Sequence, residues 1–360
     1  MQFKDITHLK GRFIMKDKTL NIALLLDSRD YGGIETHVAN LAKGLSETGH
    51  QVQIILLNDY GEHPVFESEY FLRTRLVKLD GSATSLYQWL KTTDIDLVHT
   101  HGYKAGILGR LLCKLTNKAV VSTFHAGEKG DLKVRLYRWL DRLTAHLSTC
   151  ICVSEQIKKS ANLTAEVIEN FVVLPAKFFK ASPSANQIAY VGRVSYEKGP
   201  DVFLRLAKAL PQYEFSIYGD GPMQAEIAKT APDNVDLVGH VTSMNPHWSK
   251  INLLCITSRE EGLPLVAIEA LVRGIPVISY DIGGISSVVI NNHSGWLITP
   301  FNEDDFIESI KMGQSLPIEQ RNRMSSFGYW HIKNNFSCHA IIPQIFNVYQ
   351  KALVGGSDVK

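Results

Sequence analysis

Glu261 and Glu269 fall in the segment Ser258-Arg-Glu-Glu-Gly-Leu-Pro-Leu-Val-Ala-Ile-Glu269, between an apolar run at 253–256 and an amphipathic stretch. Gly262 permits a tight turn and Pro264 suits the first turn of a helix. Free backbone N–H groups near Leu263, Leu265 and Val266 would then point at an anion. Glu261 precedes that helix and Glu269 lies inside it, so both carboxylates reach one opening without facing each other. Carboxylates so placed suit sugar or ribose hydroxyls. Taken alone, the pattern is equally a solvated helix carboxylate behind a helix-starting proline. Its company is Gly192-Arg193-Val-Ser-Tyr-Glu-Lys198-Gly199, again between a strand-like run and a helix. Arg193 and Lys198 can reach one diphosphate, each charge-assisted contact contributing roughly 1.5–3 kcal/mol. A third loop, Tyr218-Gly219-Asp220-Gly221-Pro222, lets a ligand approach the backbone, although turn chemistry also accounts for it.

The first half of the chain offers fewer groups. Gly32-Gly33 opens a helix and would bring a second helix N-terminus toward a diphosphate, a plain helix-starting turn being the alternative. Thr123-Phe124-His125 ends a strand, and His101 ends another in Leu97-Val-His-Thr-His-Gly. A lone strand-end histidine is ordinarily structural. Asp94-Ile95-Asp96 has the look of a metal-binding pair but lies at a strand start, far from every phosphate motif, and reads as a turn.

These groups need elements to hold them. Apolar runs at 20–26, 51–57, 97–100, 119–124 and 148–153 read as strands, with helices at 34–47, 104–115 and 132–147. Repeated β-α-β units imply a parallel sheet covered on both faces. Pro175, Pro183 and a Lys/Ala/Ser-rich stretch interrupt the pattern between Asn170 and Asn186, where a boundary belongs. A second series follows, with strands at 188–191, 215–218, 235–238, 253–256 and 276–279, and the chain ends in helices at 319–334 and 340–353. The expected architecture is α/β: two doubly wound, Rossmann-like domains facing a central cleft. The domains are 1–175 (with 1–18 an extension and Met15 an alternative start) and 186–335, and a helix within 336–360 crosses back to the first. Ligands bind beyond the carboxyl ends of such strands, where all these motifs fall.

With 360 residues, 45% hydrophobic and 21% charged, the chain has material for two cores. A net charge of +2 does not announce a nucleic-acid binder. The five cysteines are scattered through apolar segments, which argues for buried thiols in a reducing compartment rather than disulfides or zinc ligands. The charged N-terminus lacks a signal-peptide core and no run has the length of a membrane span. The expected location is the cytoplasm.

Taken together, the Glu-x7-Glu motif, the Gly-Arg…Lys-Gly segment, the Gly-x-Gly-Pro loop and Gly32-Gly33 resemble the retaining GT-B glycosyltransferases of the family 4 type. The resemblance spans nearly the whole chain. It implies that Arg193 and Lys198 bind the donor diphosphate, Glu261 contacts the donor sugar, Glu269 holds the ribose, and Gly239-His240-Val241 borders the base. It also implies that His125, at the family's Thr-x-His position, touches the transferred sugar. The implied reaction moves a sugar from a nucleotide diphosphate sugar, expected to be a UDP-sugar, to a glycan or lipid-linked acceptor with retention. The implied setting is bacterial polysaccharide or lipopolysaccharide synthesis. Two departures bear on the donor: Gly283-Gly284-Ile285-Ser286-Ser287 replaces the family's Gly-Gly-x-Pro-Glu, and Glu169-Asn170-Phe171 replaces its Pro-Asn-Gly.

Other readings compete. A dehydrogenase could claim Asp59 after the second strand, but Asp30-Tyr31-Gly32-Gly33-Ile34-Glu35 lacks the spaced glycine fingerprint. A glycoside hydrolase would need its two carboxyl groups across one bond. A nucleotide-sugar epimerase of the same fold, and a non-catalytic nucleotide-sugar-binding subunit, remain the alternatives. No clustered carboxylates lie beside the diphosphate motifs, so no metal or other cofactor is expected. Lys104, Arg110, Lys114, Lys118, Lys129, Lys133, Arg135, Arg138 and Arg142, interleaved with Leu136, Tyr137, Trp139 and Leu140, form a basic amphipathic stretch. It either meets the inner face of an anionic membrane reversibly or packs its apolar stripe on the sheet.

Overall fold

The computed structural model describes residues 19–29, 32–63, 65–66, 74–125, 132–174 and 185–355; the side chains at 132–134 and 355 are not described. The extension 1–18 with Met15, and Asp30, Tyr31, Lys129, Pro175 and Pro183, lie outside the described residues, as does the Lys133 side chain.

The first unit runs β1 (Asn21–Leu26), α1 (Gly33–Glu47), β2 (Gln51–Leu56), β3 (Arg75–Lys78), α2 (Ala83–Thr92), β4 (Leu97–His101) and α3 (Tyr103–Leu115). It continues through β5 (Ala119–Phe124), α4 (Leu132–Thr144), β6 (Thr149–Cys152), α5 (Glu155–Ala161) and β7 (Ala165–Val167). Its strands form a sheet of order β3-β2-β1-β4-β5-β6-β7 in which every pairing is parallel. A parallel sheet wants both faces covered, and the inner strands are accordingly apolar on both. Leu86 and Leu90 of α2 with Ala105, Leu112 and Cys113 of α3 cover one face. Val38, Leu41 and Leu45 of α1 cover the other.

The second unit runs β8 (Gln187–Val191), α6 (Pro200–Ala209), β9 (Phe215–Tyr218), α7 (Gln224–Thr230), β10 (Val235–Gly239), β11 (Ile251–Ile256) and α8 (Leu265–Leu271). It ends with β12 (Val277–Tyr280), α9 (Ile285–Val288), β13 (Gly295–Ile298), α10 (Glu303–Ser315) and α11 (Ile318–Asn335), before α12 (Cys338–Gly355). Its sheet order, β10-β9-β8-β11-β12-β13, repeats the winding of the first. In each sheet the chain works outward from one strand and then restarts on that strand's other side, between β1 and β4 and between β8 and β11. Crevices form at such switch points.

Elements absent from the sequence reading are the helices α2, α5, α9 and α10 and the short strands β3, β7 and β13. Arg75-Leu-Val-Lys and Ala165-Glu-Val are only partly buried at the sheet edge, where the alternation that betrays a strand is weak. The five cysteines are free and buried.

The last helix does not stay with the second unit. Ile341, Ile342, Ile345, Val348 and Tyr349 of α12 join the core formed by α1 and the first sheet. The staple is backbone: Val172 N–H donates to Phe336 O (2.9 Å) and Cys338 N–H to Val172 O (3.2 Å). At its far end the Tyr349 hydroxyl meets Nδ1 of the buried His99 at 2.7 Å. Tyr349→Phe keeps the ring and orphans that nitrogen, for which the usual penalty is about 1–3 kcal/mol. Urea unfolding of the variant should show a loss in that range with the slope unchanged.

Candidate active site

Three loops converge at the carboxyl end of the second sheet. The one after β8 carries Lys198, whose Nζ donates to both oxygens of Glu261 at 2.8 and 2.9 Å. Glu261 is enclosed, with 8% of its side chain exposed, and accepts a further hydrogen bond from Ser258 Oγ at 2.6 Å. Beside them Arg259 grips Asp201 with both terminal guanidinium nitrogens, at 2.8 and 2.6 Å, and lies over the Tyr196 ring. That hydrogen bonding holds the Asp201 carboxyl down to about 2.

Two glycines make this approach possible. Gly199, at φ +64, places its α-carbon so that an added Cβ would sit 2.2 Å from Thr257 O. Gly283, at φ +69, does the same at 2.1 Å from Glu261 O, while Gly284 N–H donates to Gly262 O at 2.7 Å. The Gly283-Gly284 pair thus grips the Glu261 loop from behind, although the glutamate expected after it by family pattern is absent.

The remaining donor-side candidates surround this centre. Arg193 is exposed on the Lys198 loop. Gly219 and Gly221 lie in the loop stitched to it by Gly192 N–H to Tyr218 O (2.9 Å) and Val194 N–H to Asp220 O (2.8 Å). Gly219 N–H donates to Gly239 O at 2.8 Å, which brings the exposed His240 and half-buried Val241 alongside. Leu263 is buried and Gly262 half-buried. Leu265 and Val266 open α8, and Pro264 stands at its cap rather than inside its first turn, without a side-chain cap. Glu269 lies one turn on, where burial pushes its carboxyl up and nearby Arg273 partly offsets the shift.

Across from these loops the first sheet presents histidines. His125, just past β5, has its carbonyl 4.0 Å from where a Cβ on Gly262 would lie. Its Nε2 meets His101 Nδ1 at 3.0 Å. His37 of α1 packs edge-on to His125, with ring centroids 4.7 Å apart. Burial lowers all these imidazoles, His37 to about 4, and His101 and His125 well below their ordinary value, so they are neutral near pH 7. Thr123 is occupied elsewhere, meeting His99 Nε2 at 2.7 Å. Gly32 caps α1 and Gly33 begins it, at the carboxyl end of β1.

In the sequence Asn170 stands out only as part of a departure from the family's linker. It is buried, with Oδ1 3.1 Å from His37 Nδ1 and Nδ2 donating to Leu263 O at 3.1 Å. One amide thus ties the histidines to the Glu261 loop. Neither Asn170 nor His37 carried a motif that would have singled it out, and Ser258 opens the Glu261 segment without a role of its own there. Asp59, the dehydrogenase candidate, accepts from Gly61 N–H within its own turn at 2.9 Å. Asp96 accepts from Asn21 N–H at 2.8 Å, a structural bond.

The basic stretch differs from its plainer reading. Arg110 of α3 is buried and pairs with Asp141 of α4 at 2.5 Å, with Thr144 Oγ1 at 2.8 Å. This pair ties that helix to its neighbour. Leu136, Trp139 and Leu143 are 57%, 58% and 54% exposed, and Leu111 and Leu115 of α3 are exposed as well.

Two parallel-sheet domains with their loops opposed across a cleft define the GT-B architecture. HepE of Anabaena, solved with UDP-glucose, superposes with a TM-score of 0.78 at 19% identity, covering 92% of this chain and 100% of that one. Sucrose-phosphate synthase of Thermosynechococcus elongatus gives 0.78 at 18%, covering 93% and 100%. Residues 31–175 match the model of Glycosyltransferase Family 4, and residues 176–330 that of Glycosyl transferases group 1. The chain belongs to this family of glycosyltransferases. A UDP-Gal:alpha-D-GlcNAc-diphosphoundecaprenol alpha-1,3-galactosyltransferase of Escherichia coli is 28% identical over 277 residues, covering 65% of this chain and 70% of its own. The Escherichia coli O-antigen biosynthesis glycosyltransferase WbnH is 22% identical over 299 residues, covering 79% and 87%.

The glycine geometry yields a paired expectation. Gly283→Ala combines a left-handed φ with a backbone collision and should destabilise by more than about 1 kcal/mol, whereas Gly33→Ala, with open space around its Cβ, should be neutral or better. Thermal unfolding of the two variants checks the contrast.

Proposed function

We propose that this glycosyltransferase moves a hexosyl group from a UDP-sugar to a lipid-linked glycan acceptor, with retention and without a metal at the diphosphate. The observation that carries the reading is the Lys198–Glu261 pair at the switch point, gripped by three loops and faced by His125. The UDP-glucose bound by the Anabaena structure and the UDP-galactose and diphosphoundecaprenol in the Escherichia coli relative's name support the donor and acceptor classes. O-antigen synthesis by WbnH supports the polysaccharide setting.

In this mechanism Arg193 and Lys198 take the charge that develops on the departing diphosphate, the work a divalent cation does elsewhere. Glu261, already anchored by Lys198 and Ser258, receives donor-sugar hydroxyls. Glu269 holds the ribose, and His240 with Val241 borders the base. Neutral His125 offers a hydrogen bond to the transferred sugar from the other domain. The acceptor oxygen bonds to the anomeric carbon on the face the diphosphate leaves. Its proton passes to the departing phosphate oxygen, so no enzyme nucleophile is needed.

The exposed Leu136, Trp139 and Leu143, flanked by Arg135, Arg138 and Arg142, favour a reversible contact with anionic lipid at the inner face of the membrane. No helix among the described residues is long and apolar enough to cross a membrane.

Transfer should persist in EDTA, and proton NMR of the first-formed product should show the donor's anomeric configuration. Lys198→Ala and Arg193→Ala should each slow transfer by roughly 10²–10³-fold, as loss of an oxyanion-stabilising donor does. An inverted anomer, or activity that vanishes with chelation and tolerates both substitutions, would overturn the mechanism. For the membrane contact, the chain should sediment with anionic but not neutral liposomes at low salt. Trp139→Ser with Leu143→Ser should abolish that preference.

A further inference from the structure

Polar side chains from three strand ends meet on the first domain at a place the donor loops do not use. Asp27, directly after β1, accepts on Oδ1 from Asn58 Nδ2 at 2.7 Å and from the Tyr60 hydroxyl at 3.2 Å, both in the segment after β2. Its Oδ2 stands 3.2 Å from Nζ of Lys104, in the first turn of α3 after β4. Arg29, two residues on from Asp27, holds its guanidinium 4.2 Å from the centre of the Tyr60 ring. The group shares the carboxyl edge of the sheet with His101 but not its face. Leu24 and Leu26 pack in the core under α1, and Leu25 in the core under α2 and α3, so alternation turns Asp27 to the α3 side, away from the histidines.

The charges here do not cancel. Lys78 and Asp59 face each other at 3.8 Å, which leaves Arg29 and Lys104 against the single carboxylate of Asp27. Arg29 is exposed and, among the described residues, has no carboxylate partner. The Lys104 side chain is 34% exposed, and its ammonium has three N–H donors for one carboxylate contact. Stacking on Tyr60, whose hydroxyl Asp27 holds, orients the Arg29 guanidinium. An oriented guanidinium beside an ammonium suits the oxygens of a phosphate.

The helix that starts beside this group bears on what the phosphate is attached to. Leu111 and Leu115 follow Lys104 by seven and eleven residues, spacings that return to one face of a helix. They are 42% and 71% exposed. At 1.5 Å per residue they lie roughly 10 and 16 Å along α3 from Lys104. A cation at the cleft, followed on the same helix face by leucines open to solvent, fits a phosphate that carries a hydrocarbon chain.

We infer that Arg29 and Lys104 bind the diphosphate of a lipid-linked acceptor, with its hydrocarbon leaving along Leu111 and Leu115 of α3. Asp27, Asn58 and Tyr60 are positioning residues that hold the two cations in place. The inference rests on the proposed transfer to a lipid-linked glycan and gives that acceptor a phosphate subsite of its own. Arg193 and Lys198, on the other domain, remain with the donor.

The test is binding to the full chain by calorimetry, with and without saturating UDP, and needs no turnover. Glucosyl octyl diphosphate should bind at least tenfold more tightly than octyl glucoside and than inorganic diphosphate when UDP fills the donor site. Lys104→Met and Arg29→Met should each weaken the glucosyl octyl diphosphate at least tenfold, toward the level of octyl glucoside, while UDP affinity changes less than twofold. Lys208→Met, exposed on α6, should change neither, and circular dichroism checks the fold of each variant. Failure of UDP to bind the unaltered chain would strike the donor reading and leave the comparison among the other probes intact. Inorganic diphosphate binding as tightly as the octyl form, or an octyl form whose affinity is unchanged by Lys104→Met and Arg29→Met, would overturn the subsite.

Discussion

A carboxylate as enclosed as that of Glu261 stays charged only if it is paired and hydrogen-bonded, and meeting that requirement organises the second domain. Lys198 and Ser258 supply the partners. To deliver Lys198 the β8 loop must pass against Thr257, which Gly199 allows and which Thr257 secures by donating from Oγ1 to Gly199 O at 2.8 Å. To hold Glu261 the turn behind it must press on its backbone, which Gly283 allows. The loops after β8, β11 and β12 are therefore set by one ion pair. Such a pair is weak evidence for stability, since desolvating both charges offsets much of their attraction. Its value here is positional: a cation and a carboxylate are held ready at the switch point before any ligand arrives.

The second constraint joins the domains. In described residues the chain between the sheets passes through Ile168 to Leu174, and Asn170 within it spends its amide on His37 and on Leu263. A shift of the second domain large enough to break the Leu263 bond frees the group that orients His37. The opening of the cleft and the state of the histidine cluster are thus coupled through one side chain. The α12 staple works in the same region, since Val172 bonds both Phe336 and Cys338. Linker and last helix meet two residues from the amide that bridges the cleft.

What could be read from the sequence followed from local rules. Long apolar runs marked β1, β2, β5, β8 and β11, and glycines beside charged residues marked the donor loops, because turn geometry and anion binding leave signatures within ten residues or so. Short edge strands such as β3 and β7 escaped, being too small and too exposed for a period to register. The histidine cluster escaped for a different reason. His37, His101 and His125 come together because β4 lies in parallel register with β5, His101 opposite Thr123, and with β1, His101 opposite Leu26. That register is a property of the sheet order and appears nowhere along the chain. For α4 the sequence left two readings open, a surface for lipid or a stripe packed on the sheet; the structure exposes Leu136, Trp139 and Leu143 while Arg110 and Asp141 pair between α3 and α4.

The two walls of the cleft differ in their electrostatics, and the difference matches the two ends of a sugar nucleotide. On the donor side charges are paired and plentiful: Lys198 with Glu261, Arg259 with Asp201, and Arg205 with Asp201 and Glu303. A diphosphate entering there exchanges one set of charge partners for another, at little net cost in desolvation. On the opposite wall burial keeps the imidazoles neutral. Neutral donors and acceptors suit hydroxyl groups, and a cation there would compete with Lys198 for the leaving group. Had the histidines been paired with carboxylates they would be protonated near pH 7, and the field across the cleft would no longer point from one domain to the other. Keeping carboxylates out of the cluster therefore preserves the polarity along which charge moves as the phosphate departs, a role for the apolar packing around His37, Phe171 and His125 that no single contact reveals.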